Sequence, residues 1–165
     1  MKKIFLLSLL AFAFATCGKE DSSQPALAVG SVAPEVSLIS TDGTTTYKLS
    51  DLKGKVVIVS FWASWCPYCR KDSPNLVKLY DKYKDKGLDI YSVSLDTDKA
   101  AWQKAIKDDG LVWKNHVSDF KKWSSVPVGV YDVTATPRKL LIDKNGVIKI
   151  LNFESNMDAE VAKLL

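Results

Sequence analysis

Stretches with the apolar pattern of a buried strand alternate along the chain with stretches that have the pattern of an amphipathic helix. Residues 56–59 form a β-branched run, and residues 88–95 form a second apolar-rich run of strand length. Between them, residues 75–83 carry apolar side chains at helical spacing, namely Leu76, Leu79, Tyr80 and Tyr83. A strand–helix–strand unit of this length predicts two parallel strands joined by a right-handed crossover. The pattern therefore indicates an α/β fold.

Shorter predicted elements lie before and after this unit. Residues 36–40 alternate like a strand, and residues 44–49 suit a returning strand after a turn at residues 42–43. A last hairpin turns at residues 144–146, and residues 158–165 are predicted to form a short terminal helix. We therefore expect one hairpin near each end of the sheet-forming region.

The middle of the chain has weaker patterns. Residues 96–98 are placed to cap a helix that follows them. Residues 111–113 together with residues 116–117 indicate a short extra strand. Residues 118–119 offer side chains that can cap a helical turn at residues 120–123.

Two of the three cysteines stand where the first buried strand ends and its helix begins. These are Cys66 and Cys69, separated by Pro67 and Tyr68. A helix N-terminus carries unpaired N–H groups and a partial positive charge, and both stabilise a thiolate. We therefore expect Cys66 to have a lowered pKa and to attack a disulfide, giving a mixed disulfide. Cys69, one turn further in and less exposed, would then release the product by closing the Cys66–Cys69 bond.

Two structural roles for this cysteine pair remain as alternatives. Tetrahedral zinc needs four ligands, and beside the pair the chain offers only Cys17 and His116 as further cysteine or histidine ligands. A purely structural disulfide would close a very small loop and would stabilise the fold little. Redox use is favoured over both.

The order of several motifs resembles the thioredoxin superfamily. Residues 56–69 match the strand and cysteine motif of that superfamily, and Pro74 matches the proline in the helix that follows. Thr136 and Pro137 match its cis-proline motif, and residues 140–148 match its closing hairpin. More narrowly, the chain is similar to the membrane-tethered, extracytoplasmic thiol–disulfide oxidoreductases of the TlpA/ResA kind.

This resemblance covers roughly residues 29–165 and implies a single thioredoxin-like domain. Its fold would be a central mixed sheet flanked by helices, with an N-terminal β-hairpin and a central insertion. Its reaction would be electron exchange with the disulfides of other proteins, in the direction of reduction, as in the maturation of c-type cytochromes. The resemblance implies no metal and no organic cofactor, and a monomer is expected.

The family motifs also imply roles for individual residues. Cys66 and Cys69 would be catalytic. Substrate would be bound by the residues that surround them in the family's fold: Trp65, Pro67, Tyr68, Thr136 and Pro137. In the family, the backbone edge at Thr136 pairs with the substrate chain like an added strand. Arg138 and Lys139 follow, and they either select acidic partners or are solvated.

Two departures from the family pattern concern the mechanism. Many thioredoxins bury an acid six residues before the first cysteine, and Ser60 stands there in this chain. A hydroxyl is a poor base, so water or another carboxylate is expected to take the proton of Cys69. The dipeptide Pro67-Tyr68 resembles that of glutaredoxins, whose potentials are about −200 to −230 mV. It predicts a weaker reductant than thioredoxin.

Single residues disfavour other functional classes of the same fold. Peroxiredoxin-like peroxidases hold their thiolate with a threonine and a proline, and Ala63 and Val59 occupy those positions here. Copper-delivery proteins use a cysteine pair and a distant histidine, for which only His116 is available. In those proteins three residues typically lie between the two cysteines, whereas only two intervene here. A tethered binding protein with an idle redox centre is disfavoured by the intact motif.

The N-terminal segment has the pattern of an export signal. Residues 1–16 combine two lysines with an apolar stretch that is too short to span a membrane as a helix. Residues 14–17 resemble a lipoprotein signal, so Cys17 is predicted to carry the lipid, with an ordinary cleaved signal as the alternative. Residues 17–28 would be the lipidated cysteine and a flexible linker. The protein would be extracytoplasmic, anchored to a bacterial membrane and facing the periplasm, or at the cell surface if residues 18–21 act as a sorting signal.

The charge balance excludes a nucleic-acid-binding surface. The chain has 23 basic and 19 acidic residues, and loss of residues 1–16 removes two lysines and leaves 21 against 19. The partners implied by the resemblance are disulfide-containing exported proteins and a membrane electron donor of the DsbD or CcdA kind. The lipid on Cys17 would add contact with the membrane itself.

Overall fold

Seven strands of the described chain form one mixed sheet. The structure is a computed structural model that describes residues 27–165. The strands are β1 Ser37–Ser40, β2 Thr46–Lys48, β3 Val56–Trp62, β4 Leu88–Ser94, β5 Asn115–Ser118, β6 Arg138–Ile142 and β7 Ile148–Ile150. Their order in the sheet is β2-β1-β5-β4-β3-β6-β7. The first predicted buried strand, β3, therefore lies inside the sheet, between β4 and β6.

Helices pack against this sheet through buried apolar side chains. The α-helices within residues 27–165 are α1 Pro67–Tyr83, α2 Lys99–Asp108, α3 Val126–Val130 and α4 Met157–Leu164, and short 3₁₀ turns occupy Leu49–Leu52, Lys84–Lys86 and Lys122–Ser124. Each α-helix buries at least one large apolar residue, respectively Leu79, Trp102, Val128 and Val161. This mixed architecture confirms the predicted α/β fold class.

The pairing of β3 places two other segments of the chain beside its end. β3 pairs in parallel with β4, and every residue of both strands is buried. β6 runs antiparallel to β3 and sets Arg138 opposite Phe61. The segment that precedes β6 is therefore adjacent to the end of β3 from which α1 departs.

The first described residues lie at the other end of the sheet. The N–H of Ala33 donates to the carbonyl of Gly146, 2.9 Å away, in the turn between β6 and β7. The N–H of Gly54, just before β3, donates to the carbonyl of Lys144 in the same turn, 2.8 Å away. The segment before β1 thus lies beside the start of β3, at the end of the sheet opposite to the one from which α1 departs.

The middle of the chain departs from its predicted elements. Residues 111–113 are not a strand, and the extra strand consists of β5 alone. The helical turn predicted to start at Phe120 is wrong in place and type, because a 3₁₀ turn without a side-chain cap occupies Lys122–Ser124. The φ angles of Phe120 and Lys122 are positive, 57° and 53°. The hydroxyl of Ser118 accepts the N–H of Phe120, and such a local turn competes with helix formation.

Several predictions concern residues outside the described chain. The signal segment at residues 1–16, the lipid on Cys17 and most of the linker at residues 17–28 fall there, and they remain predictions. Within residues 27–165, no helix is both long and apolar enough to cross a membrane.

Candidate active site

The two motif cysteines meet at the end of the central strand. β3 ends at Trp62, and Cys66 is the N-cap residue of α1 with Pro67 at the first helical position. Proline suits this position because its φ is helical and no N–H partner is needed there. A disulfide joins Cys66 to Cys69, with the Cα atoms 5.3 Å apart. The first turn of α1 therefore holds both sulfurs.

The backbone of α1 distinguishes the two sulfurs electrostatically. The N–H of Cys69 donates to Sγ of Cys66 over 3.1 Å. In the reduced protein this donor and the positive end of the helix dipole favour a thiolate on Cys66. The residues are 4% and 5% exposed, so the prediction that Cys69 is the less exposed is wrong for the disulfide state. The carbonyl oxygen of Thr136 lies 3.6 Å from Sγ of Cys66.

The peptide bond between Thr136 and Pro137 is cis, as predicted. Within residues 27–165 no backbone hydrogen bond uses the N–H of Thr136. This edge next to Cys66 is therefore open to an extended chain that adds to it as a strand.

Exposed aromatic residues border the buried disulfide. Trp65 is 45% exposed and Tyr68 is 74% exposed, and Pro67 between the cysteines is exposed as well. Large apolar side chains open to solvent beside a reactive group are typical of contact surfaces. The structure thus brings all the predicted substrate-binding residues around Cys66.

These features agree with a known protein family. The Redoxin family matches residues 28–165, which is most of the chain. The chain belongs to the Redoxin family.

This Redoxin domain is similar to named relatives in sequence and structure. The thiol-disulfide oxidoreductase ResA of Geobacillus kaustophilus is 32% identical over 146 residues, which are 88% of this chain and 81% of that protein. The thioredoxin domain of a thiol-disulfide oxidoreductase from Bacteroides vulgatus has a TM-score of 0.76 and 37% identity, over 84% of this chain and 98% of that one. A thiol:disulfide interchange protein from Bacteroides sp. has a TM-score of 0.70 and 37% identity, over 83% and 88%. The predicted thioredoxin-like fold and TlpA/ResA-like character are confirmed.

A small cavity lies beside Cys69 in this Redoxin domain. Its lining consists of Ser60, Trp62, Cys69, Asp72, Ser73, Leu76, Ser92, Leu111, Trp113 and Pro137. The space open to the centre of a water molecule is about 10 Å³, close to what one water needs. Trp62, one of the lining residues, has a buried indole N–H without a partner among the described residues.

An ion pair borders the cavity. Nζ of Lys139, on β6, contacts the carboxylate of Asp72, on α1. The Lys139 side chain is 3% exposed, so the prediction that it faces partners or solvent is wrong. A lysine on a buried strand has to be paired, and the nearby helix supplies the carboxylate.

Asp72 is a candidate functional residue that the sequence alone did not single out. It lies three residues after Cys69, hence on the same side of α1, and lines the cavity that Cys69 also lines. Ser60, at the usual acid position, and Asp72, from α1, therefore line the same cavity. The spacing of three residues was a visible signal, but without the fold nothing separated Asp72 from an ordinary surface acid.

A second buried carboxylate fixes the turn between β3 and α1. Asp96 is 1% exposed and accepts hydrogen bonds from the backbone N–H of Ser64 and from the hydroxyls of Ser64 and Ser94. Because Ser64 is two residues before Cys66, this network ties the turn to the end of β4. Asp96 is thus a positioning residue for the cysteine motif.

We expect Asp96→Ala to lower the free energy of unfolding by about 2 kcal/mol, because three donors to a charged group lose their acceptor. The backbone N–H of Ser64 should lose protection against hydrogen exchange. Urea unfolding and amide exchange measure the two effects. Asp96→Asn, which keeps one acceptor oxygen, is the matched control and should lose less. Unchanged protection of the Ser64 amide in the alanine variant would show that Asp96 does not hold the turn.

A third network braces the first turns of α1. Nε of Arg70 donates to the carboxylate of Asp109, and the hydroxyl of Ser73 bonds to the same carboxylate at 3.0 Å. That hydroxyl also lies 3.1 Å from the backbone carbonyl of Cys69. The hydrogen bond to Asp109 raises the pKa of Arg70, so this side chain stays charged. These contacts tie the helix that carries the cysteines to the loop after α2.

His116 lies behind the cavity and not at the sulfurs. Its ring stacks on Trp113 with centroids 5.2 Å apart, and Nε2 bonds to the carbonyl of Leu111 over 3.1 Å. Burial lowers the pKa of His116 to about 4, although the bond to Leu111 opposes this shift. The imidazole is therefore neutral at physiological pH.

This lowered pKa predicts a pH dependence of stability. Between pH 6.5 and 4 the unfolded chain binds a proton at His116 that the folded state excludes, so stability falls as the pH falls. From pH 7 to pH 5 the expected loss is about 2 kcal/mol. Urea unfolding of the wild type and of His116→Gln at both pH values measures it, since other groups titrate in both proteins. Equal pH slopes in the two proteins would contradict a depressed pKa.

The alternative functional classes find no supporting geometry here. Ala63, where peroxiredoxins carry a threonine, is buried and brings no hydroxyl to Cys66. Among residues 27–165, no three His, Cys, Asp or Glu side chains are grouped so that they can hold a metal ion. Among the described residues, the structure therefore adds no third ligand to the cysteine pair for copper or zinc.

Proposed function

We propose that this protein is a thiol–disulfide oxidoreductase that reduces disulfides of exported proteins through Cys66 and Cys69. The observation that carries the proposal is the Cys66–Cys69 disulfide at the N-terminus of α1, facing a cis Thr136-Pro137 bond. Similarity to proteins named thiol-disulfide oxidoreductase supports the reaction class. The direction, the substrates and the location are part of the proposal.

The reaction consists of two thiol–disulfide exchanges: Cys66 first binds the substrate covalently, and Cys69 then releases it. The Cys66 thiolate attacks one sulfur of a substrate disulfide, forming the Cys66–substrate bond and releasing the other substrate sulfur as a thiolate. Asp72, directly or through a water in the cavity, accepts the proton of Cys69. The Cys69 thiolate then attacks Sγ of Cys66, which forms the Cys66–Cys69 bond, breaks the Cys66–substrate bond and releases the second substrate sulfur as a thiolate that takes a proton from Asp72 or water. Two electrons pass to the substrate, and the Cys66–Cys69 disulfide results.

The proposed setting follows from the N-terminal sequence. Residues 1–16 direct export and are removed, Cys17 bears the lipid, and residues 17–28 link the lipid to the domain at residues 29–165. A membrane electron donor of the DsbD or CcdA kind would return the disulfide to the dithiol. The protein would act as a monomer on the outer side of the membrane, and lipid analysis of Cys17 by mass spectrometry tests the anchor.

The reduction potential of the Cys66–Cys69 pair tests the proposed direction. The domain is equilibrated with glutathione buffers of known poise, and mass spectrometry quantifies the disulfide. A potential between about −270 mV, as in thioredoxin, and about −200 mV, as in glutaredoxins, supports reduction. A potential near −120 mV, as in DsbA, overturns the direction and makes the protein a disulfide donor. Failure to form the disulfide at any poise overturns the exchange reaction itself.

A further inference from the structure

The aromatic surface beside Cys66 extends onto the segment that precedes α3. The ring of Trp123 meets that of Trp65 edge-on, with centroids 6.3 Å apart. Trp123 is 43% exposed. We call Trp65, Tyr68 and Trp123 the aromatic face. None of the family motifs found in the sequence accounts for its Trp123 part.

A positive charge stands on this face. Nζ of Lys122 lies 5.0 Å from the ring centroid of Trp65, the residue before Cys66. Such a cation–π contact contributes only about 0.5–1 kcal/mol at an exposed site, so the ammonium can also bind an anion. Among the ion pairs within residues 27–165, none involves Lys121, Lys122 or Arg138.

The fold holds this charge in place. The ring of Phe120 packs edge-on against the buried Trp102, with centroids 5.6 Å apart. The hydroxyl of Ser118 accepts the N–H of Phe120, and the N–H of Ser124 donates to the carbonyl of Lys121 over 2.9 Å. Lys122 therefore projects from an anchored turn.

A second uncompensated cation follows the cis-proline. Arg138 comes directly after Pro137, is half-buried and contacts the neutral side chain of Asn152. The open backbone edge of Thr136 lies two residues away. One cation thus stands beside the residue before Cys66, and another stands next to the edge that an incoming chain would pair with.

We infer that the aromatic face, with Lys122 and Arg138, selects substrate segments that carry an apolar side chain and acidic residues close to the reacting cysteine. An extended chain advances about 3.3 Å per residue, so residues within one or two positions of the substrate cysteine reach these cations. Opposite charges at a rim mainly raise the association rate. This inference rests on the proposed function and names the substrate class of the same site.

Three synthetic peptides test the inference against the reduced protein, in the form that lacks residues 1–16 and has Cys17→Ser. Each peptide is Phe-X-Cys-X with the cysteine joined to 2-thiopyridine, and X is Glu, Gln or Lys. Attack of Cys66 on the peptide sulfur releases 2-thiopyridone, which is followed by stopped-flow absorbance. We expect the Glu peptide to react about tenfold faster than the Lys peptide at low salt. The ratio should shrink towards one at 1 M salt, where the Debye length is about 3 Å.

Charge reversal locates the effect. Lys122→Glu should lower the Glu-to-Lys rate ratio at least fivefold. Lys53→Glu is the matched control, because it makes the same charge change on an exposed residue just before β3, at the far end of the sheet. Trp123→Ala should slow all three peptides by similar factors, since it removes apolar contact and no charge.

The outcomes separate the inference from the proposed function. A neutral compound, hydroxyethyl 2-pyridyl disulfide, reports exchange without any peptide contact. If the protein reacts with this compound but the peptide ratio is near one, or Lys53→Glu lowers the ratio as much as Lys122→Glu does, the inference is overturned. If the protein reacts with no disulfide at all, the proposed function fails.

Discussion

Cys66→Ser is expected to abolish disulfide exchange, and Cys69→Ser is expected to trap the protein on its substrate. A serine hydroxyl at position 66 cannot form a disulfide, so activity should fall below detection rather than decline by degrees. In Cys69→Ser, the Cys66 thiolate still attacks, but no second sulfur releases the product. The expected species is a covalent complex whose mass equals protein plus one substrate chain, seen by non-reducing gel and mass spectrometry.

The opposite result would reassign the two sulfurs. If Cys66→Ser formed the covalent complex and Cys69→Ser did not, Cys69 would be the attacking thiol. The hydrogen bond from the Cys69 N–H to Cys66 Sγ argues against this, because the helix end favours a thiolate on Cys66. The double variant Cys66→Ser plus Cys69→Ser serves as the control for non-specific capture.

Asp72→Asn is expected to affect both stability and the release step. It leaves the buried ammonium of Lys139 without its counter-charge, which should cost about 3 kcal/mol of unfolding free energy. It also removes the carboxylate beside Cys69, so product release should slow on the order of 100-fold near pH 7. Urea unfolding measures the first effect, and decay of a fluorescent mixed disulfide in stopped flow measures the second.

A double variant separates these two roles of Asp72. Asp72→Asn with Lys139→Met removes both charges, and stability should recover, since a buried ion pair replaced by apolar groups is often neutral. The release step should stay slow, because the carboxylate is still missing. Recovery of the release rate together with stability would mean that Asp72 acts only as a structural partner of Lys139. Ser60→Ala, which alters the same cavity without changing charge, is the control for a disturbed cavity.

Much of the fold could be predicted because its elements are encoded locally. The apolar run of β3, the helical spacing of α1 and the glycine turns are each read from a few adjacent residues. The order of the motifs then identified the cis bond before Pro137. The predicted helical turn at Phe120 is wrong because two residues there have positive φ. The hydroxyl of Ser118 also accepts the N–H of Phe120, a local bond that competes with a helix.

The candidate site was only partly predictable for a different reason. Cys66, Cys69 and Pro137 were identified because they lie in motifs of fixed spacing. The pairing of Lys139 with Asp72 spans 67 positions in the chain, and the contact of Asp96 with Ser64 spans 32. Such contacts depend on how α1 and the turn before it pack against the sheet, and no pattern of neighbouring residues predicts this packing. The sequence therefore did not show that Lys139 is buried or that it pairs with Asp72.

The first described residues and the disulfide lie at opposite ends of β3. Ala33 lies with the turn between β6 and β7, beside the start of β3, and the cysteines follow the end of that strand. At about 3.3 Å per residue, β3 places them about 20 Å beyond this point. Under the proposed anchoring through Cys17, the linker would therefore join the domain at the end of the sheet opposite the cysteines. Substrates in solution would then reach the cysteines without passing the linker, whereas a donor embedded in the same membrane would reach them only when the flexible linker lets the domain turn.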